Sequence, residues 1–281
     1  MVLVTLGEKG GGGKSTIAYH FLSAYFLKKS ASEGTTPPKI KIYEFDAHNK
    51  TSDDFKEDLL VSGISISSKE DDMVNAIATI EYGDSEGENI IIDVGGSDNT
   101  DRFLSLIKDT FLAEQIIFIV PEMNKKPRSA ENTIDKIRKV SPDAKIIIAL
   151  NRWSTSEPGE DEFKFFFGDE NMGIEPSPLS KDKKLSIGYI PVCDVALGLS
   201  EIGFCSLWQT SEMVRLFGKT PIALRKKLWG IKAEGKNPAI PCSEEVFIEK
   251  TKQVHSSKSA QIAIASAQSL FDCIDIYIDK V

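Results

Sequence analysis

The stretch "GEKGGGGKST", residues 7–16, follows the apolar run Val2-Leu3-Val4-Thr5-Leu6. Four consecutive glycines and two lysines five positions apart, at the end of that run, decide how the rest of the chain reads. Glycine lacks a Cβ, so a glycine-rich loop can turn several backbone N–H groups inward around an anion. A helix opening at Ser15 would add its N-terminal dipole on the same side. Strand, glycine loop, Gly-Lys-Ser and helix together form the arrangement of a phosphate-binding loop. There Lys14 neutralises the β- and γ-phosphates and the Ser15 hydroxyl ligates Mg²⁺. The competing reading is a flexible glycine turn that happens to precede Lys-Ser. Agreement of strand, spacing and helix outweighs it. The usual pattern wants glycine at position 8, where this chain has Glu8.

Outward from the loop, runs rich in Val and Ile recur at Val2–Leu6, Lys39–Phe45, Asn89–Asp93, Gln115–Val120, Lys145–Leu150 and Leu185–Ile190. Most are apolar throughout, as strands covered on both faces of a parallel sheet should be. Helical stretches are expected between them at Ser15–Lys29, Asp71–Ile80, Asp98–Ile107 and Ser129–Val140, with Ser129 as N-cap. The alternation predicts an α/β fold: a doubly wound, mostly parallel sheet with helices on both faces. Residues 1–217 are read as one P-loop domain with an insertion at about 153–184. Residues 218–281 are read as a helical C-terminal extension packed on the same domain, ending in a helix over Ser256–Lys280.

Composition narrows the class. The chain has 281 residues, 41% hydrophobic and 27% charged, enough to bury a sizeable core. No apolar run reaches the roughly 18–20 residues that cross a bilayer, and no leader peptide is visible after Met1. Cys193, Cys205, Cys242 and Cys273 form no C-x-x-C pair, so reduced thiols in a cytoplasmic protein are expected and structural zinc is not. A formal net charge of -8 argues against a chain coated in nucleic acid, though not against a local basic patch.

Lys9-Gly10-Gly11-Gly12-Gly13-Lys14-Ser15 matches the deviant Walker A pattern, and here the sequence resembles the ParA/MinD family of P-loop ATPases. The resemblance implies an ATP-dependent, Mg²⁺-requiring homodimer in which Lys9 reaches the nucleotide of the other subunit. A second cation there would offset charge on the phosphoryl oxygens in the transition state. The plainer alternative for Lys9 is a solvated loop lysine. In "KIKIYEFDAHNK" Glu44 and Asp46 stand where the family has D-x-D, with Ala47 and His48 replacing Pro-Gln. By resemblance Asp46 orients the attacking water and assists Mg²⁺ through a water ligand, while His48 is read as an exposed loop residue. "ENIIIDVGG" supplies Asp93 as the Walker B aspartate, followed by Gly95-Gly96 as a mobile switch. Gly10 to Gly13, Lys14, Ser15 and Thr16 would hold the phosphates. Asn151, at the end of "IIIALN", and Pro191 with Val192, in "GYIPVCD", would line adenine. For these three a plain strand-end turn remains the alternative.

The resemblance spans about residues 1–217, and several functions share it. A nitrogenase-iron-protein role needs cysteine ligands to a cluster, and none lies between Asp93 and Asn151. Dethiobiotin-synthetase-like enzymes usually lack the lysine at position 9. A MinD-like membrane switch wants a basic amphipathic C-terminal helix, whereas "SLFDCIDIYIDKV" is acidic. The expectation is therefore a ParA-type positioning or partition ATPase of slow, partner-stimulated turnover, with a ParB-like adaptor and no membrane. The alternatives are an ATP-binding adaptor of little turnover that acts through protein partners, or a MinD-like positioning ATPase. From Lys219 to Lys258 nine Lys/Arg face four Glu, with Arg225, Lys226 and Lys227 beside Trp229. That patch would suit non-specific DNA contact, or be a solvated helix face. In "DEFKFFFGDE" the phenylalanines 163, 165, 166 and 167 are either a hydrophobic plug that anchors the insertion or a partner-docking patch.

Overall fold

The computed structural model describes residues 1–7, 12–46, 51–55, 60–96, 98–122, 125–153, 160–191, 206–208, 210–211 and 259–278. Among them seven strands form one sheet: β1 (Val2–Leu6), β2 (Ile40–Phe45), β3 (Val61–Ser65), β4 (Asn89–Val94), β5 (Ile116–Ile119), β6 (Lys145–Trp153) and β7 (Leu185–Pro191). Their order is β3-β2-β4-β1-β5-β6-β7, and every pairing is parallel. The strand nearest the N-terminus thus lies in the middle, and the chain winds outward from it in both directions. The α/β expectation holds.

Alternating residues of each strand enter separate cores. On one face Leu3, Ile91, Phe118 and Ile147 pack against α1 and the C-terminal helix. Helix α1 is continuous through Lys14–Thr16, a π-helical stretch at Ile17–Leu22, and Ser23–Glu33, stopping at Gly34 with φ 68°. On the other face Val4, Ile92, Ile117 and Ile148 pack against three helices. In chain order the remaining helices are α2 (Thr51–Asp54), α3 (Glu70–Ser85), α4 (Asp98–Ile107), α5 (Arg128–Val140), α6 (Lys164–Phe167) and α7 (Gln268–Ile278). The second core receives α3, α4 and α5. Among the described residues no helix is long and apolar enough to cross a membrane.

Two details depart from expectation. Strand β3, "VSGIS", was not foreseen, because only Val61 in it is buried and it carries no apolar run. Gly63 is needed there, since a Cβ would sit 2.6 Å from the Cα of Ser52 on α2. Helix α5 begins at Arg128, with Pro127 at the cap position and no side-chain cap, so Ser129 lies inside the first turn instead of capping it. Within the insertion the plug reading holds: Phe163 and Phe166 are buried in the second core while Phe165 and Phe167 are half-buried. Ser177 ties this segment down, donating to Glu131 Oε1 of α5 at 2.7 Å.

Helix α7, preceded by a helical stretch over 259–266, lies on the outer strand β7. A Cβ on Gly188 would come within 2.8 Å of the Leu270 Cα, so the glycine lets helix and strand touch along their backbones. Ser269 Oγ accepts the Tyr189 N–H at 2.9 Å, and Tyr25 of α1 donates to Asp275 at 2.6 Å. Cys273 is buried and free, its thiol pushed up to about 11 by burial and secondarily by Asp272. The proposed boundary at 217 and the other three cysteines lie outside the described residues.

Candidate phosphate site

The site gathers at the carboxyl ends of β1, β4 and β2, three adjacent strands, where open parallel sheets bind ligands. Lys14 opens α1 and is only 7% exposed. Burial lowers its pKa, against the opposing pull of Asp93 and then Asp46. An amine held in so enclosed a place needs anionic company, and two carboxylates alone do not fully offset its desolvation. Asp93, on β4, is 3% exposed. Burial pushes its carboxyl up, Ser15, Thr5 and Lys14 draw it down, and Asp46 adds to the push. Lys14, Ser15, Asp46 and Asp93 therefore share one electrostatic environment.

Thr5 was not among the expected site residues. Its hydroxyl donates to Asp93 Oδ1 at 2.7 Å and it is fully buried. The signal was present in the sequence as the single polar residue inside "VLVTL". Its hydroxyl, with that of Ser15, orients the aspartate.

Glu44 proves to be a hinge pin for the segment after β2. Its carboxylate, with no exposed surface, accepts the N–H groups of Thr51 at 3.2 Å and Ser52 at 3.0 Å. Burial raises its pKa, with the Ser52 and Thr51 amides opposing. The start of α2 is therefore tied to β2. Nearby, burial and then Glu44 push the Tyr19 phenol up, so it stays protonated.

Gly95 follows β4 and donates its N–H to Phe45 O at 3.0 Å. Its φ is not in the left-handed region, so backbone freedom is not what requires glycine here. A Cβ would lie 2.6 Å from Asp46 Cγ, so the requirement is the close approach of two strand ends.

Gly12 and Gly13 lie between the ends of β5 and β6. A Cβ on Gly12 would meet the Val120 carbonyl at an ordinary 3.5 Å. Gly13 has φ 96°, which disfavours any side chain, and its Cβ would fall 2.0 Å from Asn151 Nδ2. Asn151, 8% exposed, donates that Nδ2 to Gly12 O at 3.0 Å. The residue expected to meet adenine thus holds the glycine loop. Thr16 is half-buried in the first turn of α1, and Pro191 ends β7 in register with Trp153. Lys9, Gly10, Gly11, Val192, Arg225, Lys226 and Lys227 lie outside the described residues.

A doubly wound parallel sheet in this order, with a glycine loop and buried lysine between β1 and its helix and an aspartate closing the neighbouring strand, is the arrangement expected of a phosphate-binding site. No protein-family model and no curated protein matches the chain. Among solved structures it is similar to a nucleotide-binding protein from Archaeoglobus fulgidus in complex with ADP: 17% identity, TM-score 0.43, over 72% of this chain and 86% of that one. The cell division protein FtsY of Thermotoga maritima gives 12% identity and a TM-score of 0.34, over 53% of this chain and 52% of that one. The 54 kDa signal recognition particle protein of Aeropyrum pernix, in complex with GDP, gives 11% and 0.38, over 98% of this chain and 77% of that one.

Proposed function

We propose that the chain is an ATPase switch that binds Mg²⁺–ATP at the β1 loop, dimerises on ATP, and positions DNA or another cargo. The observation that carries the nucleotide part is Lys14, buried beside Asp93 and Asp46 at the start of α1. A polyphosphate would add negative charge beside this enclosed lysine, and α1 would add its dipole. Ser15, Asp46 and Asp93 present only oxygen donors, which suits a hard cation held largely through water. Those residues would hold Mg²⁺, which supplies charge neutralisation at the triphosphate when bound. Asp46, just after the carboxyl end of β2, would orient a water molecule. The preference for ATP and the dimer rest on the resemblance of the Lys9-to-Ser15 segment alone.

Calorimetric titration with Mg²⁺–ATP and a phosphate-release assay test this reading. Lys14→Ala should lose nucleotide binding altogether. Asp46→Ala should bind ATP normally while turnover falls about a hundredfold, because water positioning and not affinity is removed. Normal hydrolysis by the Asp46 variant would overturn the assignment of β2. In sedimentation with a non-hydrolysable ATP analogue, wild type should dimerise and Lys9→Ala should remain monomeric. A wild-type monomer with analogue bound removes the dimer from the proposal.

A further inference from the structure

Resting on the nucleotide reading above, we infer that Asn151 is a positioning residue that presets the phosphate loop and does not select the base. A loop that cradles phosphate must aim N–H groups inward and carbonyls outward. Both carbonyls of the described glycines are turned away and engaged: Gly13 O accepts the Ile17 N–H at 2.9 Å, and Gly12 O accepts Asn151 Nδ2 at 3.0 Å. The peptide unit is planar and trans, so the Gly12 carbonyl and the Gly13 N–H point in opposite directions. Anchoring the carbonyl toward β6 therefore aims the Gly13 N–H to the other side, away from Asn151.

The surroundings fix this geometry from both ends. Asn151 is the last β6 residue in regular register with β7, pairing with Ile190; one residue is then skipped before Trp153 pairs with Pro191. Such a bulge re-aims the strand at the point where its side chain must reach across the end of β5. On the loop side there is no space at Gly13 for a methyl group, so Asn151 lies directly against the backbone. One of the two Asn151 Nδ2 hydrogens is committed to the loop in this way before any nucleotide arrives. The half-buried Gly12 carbonyl would lose its partner in a variant, a loss expected to weaken binding about tenfold.

The test compares ligands with and without a base. Mg²⁺–ATP, Mg²⁺–GTP and inorganic tripolyphosphate are titrated into wild type, Asn151→Ala and the isosteric Asn151→Asp, which replaces the donor by an acceptor. Both variants should lose about tenfold or more in affinity for all three ligands, leaving the ATP-to-GTP ratio as in wild type. Loss of that ratio with unchanged tripolyphosphate binding makes Asn151 a base reader and overturns the inference. Unchanged binding of all three overturns it too. Hydrogen exchange on the ligand-free protein gives an independent arm. The peptide spanning Gly12 to Thr16 should exchange about tenfold faster in Asn151→Ala while β5 and β7 peptides stay as in wild type, and equal rates for that peptide overturn the clamp. Wild type that binds none of the ligands refutes the nucleotide reading, and the exchange arm still decides whether the clamp exists.

Discussion

Two residues that flank the glycine loop show what sequence reading reaches at the scale of one side chain. Lys14 was legible, because Gly-Lys-Ser after an apolar run leaves a lysine few other places to go. The contact of Asn151 with the Gly12 carbonyl was not legible, since a strand-end amide gives no sign of which neighbour it meets. His20 was not singled out at all. It sits in the π-helical part of α1 against Phe55, 5.4 Å between ring centroids, with Nδ1 lacking a hydrogen-bond partner among the described residues. Burial lowers its pKa from 6.5 to about 4. The folded protein therefore holds His20 neutral while the unfolded chain takes up a proton first. Stability should fall as pH drops below about 6.5, with the loss complete near pH 4, where the difference amounts to about 3 kcal/mol. In urea unfolding across that window, wild type should lose stability relative to His20→Leu as pH falls, by about 3 kcal/mol in all. Parallel profiles would mean that His20 does not titrate between the two states.

At the scale of elements, the central strands announced themselves because burial on both faces demands uninterrupted apolar runs. Strand β3 did not, for the opposite reason: at the sheet edge only Val61 must be apolar, and the backbone alone makes the pairing with β2. The start of α5 was misjudged by one residue, because serine's capping preference was weighed against a proline whose fixed φ already suits a helix entrance. At Gly95, one of the two glycines expected to form a switch after β4, the close approach of Asp46 adds a packing requirement between β4 and β2. Gly95→Ala should push Asp46 out of place without touching Lys14 or Ser15. Turnover is expected to drop by about tenfold to a hundredfold with the ATP dissociation constant little changed. An equal loss in affinity would show that the methyl group disturbs the loop and not the aspartate.

For the molecule as a whole, the doubly wound sheet was readable from alternation, but the way its outer strand is finished was not. Nothing in "SLFDCIDIYIDKV" says that it must lie flush on a strand some 80 residues earlier. That depends on Gly188, whose missing Cβ admits the Leu270 backbone, and on Ser269 taking up the Tyr189 N–H of β7. The same helix reaches α1 through Tyr25 and Asp275, and through Lys28 and Gln268. Leu270, Phe271 and Ile274 belong to the core beneath α1. The order of synthesis then acquires a meaning. As translation proceeds, β1 to β7 emerge before residues 259–278, which among the described residues pack on β7 and α1. The nascent chain must wait with that part of an apolar face uncovered, the condition in which unfinished chains associate wrongly. Ribosome-bound chains halted with residue 258 outside the exit tunnel should be cut rapidly by protease, and chains halted beyond 278 should resist. Equal resistance in both would show that the sheet closes without its last cover.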